Sequence, residues 1–161
     1  MNFDTDSLNR QYFGFLENGY GFKYSKGVFS TQDIEIQILA TGFTAGVLSS
    51  VEIYVWFKDE PKCTKMSFIW IATYYLKARL YLEDSFNSLL NNYQKLSSVF
   101  EEYALKILYH REEWLLPSMK IHFESMLKEC YRGKLQSMLL TPSILEIYEY
   151  IRSKDPNWNP T

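Results

Sequence analysis

Val51-Glu52-Ile53-Tyr54-Val55-Trp56-Phe57-Lys58 alternates without a break between apolar residues and residues that carry a polar end. A side-chain period of two places Val51, Ile53, Val55 and Phe57 on one face of a strand and Glu52, Tyr54, Trp56 and Lys58 on the other. Asp33-Ile34-Glu35-Ile36-Gln37-Ile38 repeats the pattern, with three isoleucines on its apolar face. Between the two runs lies Thr41-Gly42-Phe43-Thr44-Ala45-Gly46, whose glycines fit a turn. Antiparallel pairing of these neighbours is the economical reading, with one face buried and one face polar.

Upstream, Tyr20 to Phe29 mixes aromatic alternation with a Ser25-Lys26-Gly27 turn signal, which predicts a short strand or hairpin. Before it, Leu8, Tyr12, Phe15 and Leu16 recur at helical spacing behind the candidate caps Asp4, Asp6 and Ser7, and Asn18-Gly19 is the expected stop. Downstream, Asp59-Glu60-Pro61 ends the second strand. Met66 to Tyr81 fits a buried strand or a buried helix equally.

From Leu82 the period becomes helical. Leu96, Val99, Phe100, Tyr103, Ala104, Ile107 and Leu108 form one stripe over residues 94–111. Pro117 is expected to separate this helix from one carrying Met119, Phe123, Met126, Leu127 and Cys130, which Gly133 can end. Thr141-Pro142 then opens a helix with Ile144, Leu145, Tyr148 and Ile151, and residues 155–161 read as a tail. Strands early and helices late give an α+β fold: a small antiparallel sheet in the N-terminal half packed by helices mainly from the C-terminal half. With 161 residues and no internal repeat or linker, the expectation is a single domain over 1–161.

Composition narrows the function. Aromatic residues reach 17%, which suits a thick core or a protein-binding face. A net charge of -2 offers no broad positive field, so nucleic acid is not an expected partner. No apolar run approaches the ~20 residues of a membrane helix, and the polar, acidic start is unlike a secretory signal, so the expected location is cytoplasmic. Cys63 and Cys130 lie far apart and read as reduced thiols.

Candidate chemistry is sparse. His110 and His122 belong to no His-x-x-x-His arrangement, so no metal site is expected. Cys130 lies on an apolar stripe, where an inert thiol is the reading, and nothing local activates Cys63. Gly19-x-Gly21 precedes a strand, whereas a phosphate loop follows one, so no nucleotide cofactor is expected. The adjacent carboxylates Asp59-Glu60, Glu101-Glu102 and Glu112-Glu113 read as solvated faces. The suggestive feature is the polar strand face, where Glu35, Glu52, Tyr54 and Trp56 would join carboxylates to large aromatics and suit a basic protein partner. Ordinary cross-strand pairing, or coverage by helices, is the competing structural reading.

In the order of its pieces the chain resembles small bacterial immunity proteins of polymorphic or contact-dependent toxin systems. The pieces are Phe15-Leu16-Glu17-Asn18-Gly19-Tyr20-Gly21-Phe22 closing a first helix, the two alternating strands, and Tyr103-Ala104-Leu105-Lys106-Ile107-Leu108 on a late helix. The similarity spans about residues 8–114 and carries no motif residue, because that group is diverse and has no catalytic set. It implies a non-enzymatic, intracellular binder that neutralises a cognate protein toxin, for example a basic nuclease domain. A self-associating structural or phage-type accessory protein (a homo-oligomer) and an enzyme with a site assembled from scattered residues are the alternatives.

Overall fold

The computed structural model describes residues 4–41, 50–83, 88–131 and 142–160. The fold is α+β. Helices α1 (Thr5–Phe13) and α2 (Phe15–Tyr20) lead into strands β1 (Lys23–Ser25), β2 (Val28–Ser30), β3 (Ile34–Thr41), β4 (Ser50–Phe57) and β5 (Met66–Ser67). The five strands form one antiparallel sheet in sequence order, so every strand pairs with its chain neighbour. Helix α3 (Phe68–Trp70), α4 (Leu89–Glu102), α5 (Ala104–Tyr109), α6 (Arg111–Tyr131) and α7 (Pro142–Lys154) follow.

The local reasons are legible. Asp4 caps α1 by accepting from the Asp6 and Ser7 amides. The helical N-terminus ends two residues later than Asn18-Gly19 suggests, at Gly21, whose φ of 72° is the left-handed conformation of a helix stop. Lys26 (φ 48°) and Gly27 (φ 82°) make the β1–β2 turn, and this double positive φ matches the right-handed twist of a two-residue hairpin. The segment left open between strand and helix is both in turn. Met66–Ser67 pairs with β4, then the chain turns helical at Phe68 and widens into a π-helical turn over Ile71–Tyr75.

Ile34, Ile36, Ile38, Val51, Ile53, Val55 and Phe57 are all buried and face a helical layer. Phe100 of α4 packs edge-on against Phe13 and lies 4.8 Å from the Phe68 ring, and Trp114 of α6 lies 5.8 Å from Phe57. A polar thread crosses this layer. Tyr93 donates to Asn9 Oδ1 at 2.7 Å, Asn9 Nδ2 donates to the Tyr24 hydroxyl at 3.0 Å, and Tyr24 donates to Asp6. Each polar group of this thread therefore has a partner, which offsets its desolvation.

Two helix boundaries differ from the periodicity. The stripe over residues 94–111 is not one helix, because it breaks at Tyr103 and ends at His110. The break lets α6 fold back so that Trp114 is fully buried and donates to the Ile107 carbonyl at 3.2 Å. Pro117, the expected separator, lies inside α6. A proline leaves the carbonyl four residues earlier without its helical donor. Here that carbonyl belongs to Glu113, and the Tyr75 hydroxyl from the π-helical turn donates to it.

Of the expected turn Thr41 to Gly46, residues 42–46 lie outside the described residues, as do Gly133, Thr141 and the Cys130 side chain. The stretch read as a tail packs back onto the helices. Trp158 lies 5.5 Å from Phe123 ring to ring, and Asp155 pairs with Lys120 at 2.8 Å.

Candidate functional site

The β3–β4 register decides what the polar face contains. Glu35 stands opposite Trp56, Gln37 opposite Tyr54, and Leu39 opposite Glu52. Glu35, Glu52, Tyr54 and Trp56 thus share one face, and all four are half-buried. The two carboxylates are separated by four positions along the ladder, about 13 Å.

Two lysines that the sequence reading did not place there lean over the same face. After β4 the chain turns at Pro61 into a short 3-10 turn, Lys62–Thr64, before returning as β5. This brings the Lys62 ammonium to 5.5 Å from the Trp56 ring centroid and the Lys65 ammonium to 5.6 Å from that of Tyr54. Lys65 also donates to Gln37 Oε1 at 2.6 Å. The Trp56 indole donates to the Glu60 carbonyl at 3.1 Å, which fixes the ring against the turn. The face is therefore a mixed surface of carboxylates, aromatics and ring-bound lysines.

The pairing of charges is uneven. Asp59 with Arg111, Asp155 with Lys120, Glu83 with Lys95 and Glu113 with Lys106 are ion pairs. Glu35 and Glu52 form none among the described residues; Glu52 instead accepts from the Tyr54 hydroxyl at 2.7 Å. That hydrogen bond, followed by burial, pushes the Tyr54 phenol up to about 12 from its usual 10. Tyr54 therefore stays protonated and Glu52 supplies the negative charge.

Beside Tyr54 the face deepens into a cleft of about 430 Å³ lined by Glu52, Lys65, Ser67, Trp70 and His122 among others. Trp70 stacks on Tyr74 with centroids 4.1 Å apart and meets the His122 ring edge-on at 5.1 Å. Among the described residues His122 Nδ1 is buried without a hydrogen-bond partner, and burial lowers the imidazole's proton affinity. His122 is neutral at neutral pH, so Lys65 supplies the positive charge of the cleft.

Other sequence candidates scatter. His110 is exposed at the end of α5 and lies 3.4 Å from Glu112; with Glu113 it forms a group whose potential ligand atoms lie within 4.8 Å of one another. All three are exposed, and Glu113 is engaged by Lys106 at 3.5 Å. Cys63 is half-buried beneath α7, and burial, with Glu146 next, raises its thiol pKa, the opposite of an activated thiolate. A second cleft of about 360 Å³ is lined by Asp33, Phe57, Asp59, Tyr109 and Arg111, but Arg111 and Asp59 already satisfy each other through a two-pronged pair with one contact at 2.6 Å. Among the described residues no helix is long and apolar enough to cross a membrane. Compared with known proteins, the chain matches no family model, no curated protein and no solved structure.

Proposed function

We propose that the chain is an immunity-type inhibitor that binds a cognate bacterial toxin domain stoichiometrically in the cytoplasm, without catalysing a reaction. The observation that supports this reading is the outer face of β3 and β4. It joins two large aromatics, Tyr54 and Trp56, to two carboxylates, Glu35 and Glu52, that no cation of the described chain pairs. Aromatic area supplies desolvation energy at an interface core, and unpaired carboxylates attract a basic surface such as that of a nuclease domain. The family resemblance in the order of helix, strands and late helix points the same way.

The test is capture of partners from the native host on the full chain, followed by co-expression with the candidate toxin. Protection of cells together with a stoichiometric complex supports the reading. A chain that recovers only itself, and that gives no protection, overturns it in favour of a self-associating protein.

A further inference from the structure

Lys65 occupies a place that its own surroundings only partly satisfy. Its ammonium faces the Tyr54 ring and is held by a neutral amide, Gln37, while the Glu52 carboxylate on the same wall makes no ion pair with it. The space beside it remains open as the cleft between Tyr54 and Trp70.

We propose that the Tyr54 ring and the Glu52 carboxylate form a receiving site for one arginine side chain of a basic protein partner, filled in the free protein by Lys65, which leaves on docking. The identity of the partner as a protein rests on the function proposed above. The site itself rests on three observations. The Tyr54 ring already attracts a cation, so its face is demonstrably suited to one. Glu52 has spent one oxygen on the Tyr54 hydroxyl and, among the described residues, is otherwise without a charged partner, so it adds negative charge beside that ring. The occupant is easily released, because a flexible lysine stem hydrogen-bonded to a neutral side chain gives up little on leaving.

Arginine fits better than lysine. A guanidinium is planar and weakly hydrated, so it covers an aromatic face while its remaining N–H groups reach a carboxylate, which a compact ammonium cannot do as well. An anionic ligand would meet Glu52, and neutral His122 offers it no charge. Lys62 lies above Trp56, which stands opposite Glu35 in register, so a second ring, cation and carboxylate lie two positions along the strand.

The experiment titrates the full chain with a blocked Gly-Arg-Gly peptide and follows amide and indole signals by NMR. The expected result is saturable movement at Ser67 and the Trp70 indole, absent with the citrulline analogue, which keeps the shape and loses the charge. Lys65→Met should tighten peptide binding roughly threefold, since it frees the ring. Lys23→Met, the same charge change on exposed β1, should leave it unchanged. Glu52→Gln should weaken it roughly threefold. Equal binding of the citrulline peptide, or unchanged or weaker binding by folded Lys65→Met, would overturn the site. A genuine protein partner indifferent to both Lys65→Met and Glu52→Gln sinks this site while sparing the immunity reading. Arginine-specific binding with no protein partner recoverable sustains the site and sinks the immunity reading instead.

Discussion

The inner and outer faces of the β3–β4 ladder are made from alternate residues of the same two strands, yet they do opposite work. On the inner face Ile36, Val51 and Ile53 are fully enclosed, and the helical layer supplies their contacts. On the outer face Glu35, Tyr54 and Trp56 remain half-buried, and the two rings meet their cations from one short turn, Lys62 to Lys65. The inner face draws on many apolar contacts, whereas the outer one offers charges and ring surfaces that are incompletely used. This difference locates stability on one side of the sheet and leaves the other side for the recognition proposed above.

The largest effect expected from breaking the comparison is on the inner face. Ile53→Ala should destabilise the fold by about 2–5 kcal/mol, through lost burial and a residual cavity, as read from chemical denaturation. Trp56→Ala, on the half-buried outer face of the same strand, should cost less than half as much. Equal losses would mean that the outer face is structural after all.

A smaller effect tests the helical layer that makes the inner face possible. Tyr75→Phe removes the donor to the carbonyl orphaned by Pro117 and should cost about 1 kcal/mol. In a Pro117→Ala background the helix supplies its own donor and most of that cost should vanish. Additive losses in the double-mutant cycle would show that the hydroxyl has no such role.

The smallest effect sharpens the outer face itself. Tyr54 should ionise near 12, not 10, in an ultraviolet or NMR titration, and Glu52→Gln should bring the midpoint down towards the ordinary value, because the Glu52 hydrogen bond is the largest cause of the shift. The sign is that of a raised folded pKa: the contribution to stability is present below pH 10 and is lost as the pH rises through about 12. An unshifted phenol would remove the Glu52–Tyr54 contact from the account.

How much of this was legible in the sequence follows the same division. Strict alternation in Asp33–Ile38 and Val51–Phe57 predicts both strands, their pairing and the sharing of one face by Glu35, Glu52, Tyr54 and Trp56, because a period of two leaves no choice once one face is buried. The α+β order follows from where the period changes. Helix ends were less legible. Tyr103 and His110 carry no glycine or proline signal, and the chain breaks there because Trp114 must reach the core. Pro117 carries a signal that tertiary structure overrides, since Tyr75, distant in sequence, replaces the lost donor. The lysines over Trp56 and Tyr54 were invisible for a related reason. Pro61 announces a turn, but only the path from that turn into β5 puts Lys62 and Lys65 above the sheet.

The central claim is that the outer face binds a basic protein, and calorimetry of the chain with its captured partner tests it most directly. Wild type, Trp56→Ala and Glu35→Gln/Glu52→Gln are compared at two salt concentrations after circular dichroism confirms folding. Truncating Trp56 should cost on the order of 2 kcal/mol or more of binding free energy, and neutralising the two carboxylates should slow association and flatten the salt dependence. Unchanged affinity and an unchanged salt slope in every folded variant would contradict the assignment of this face.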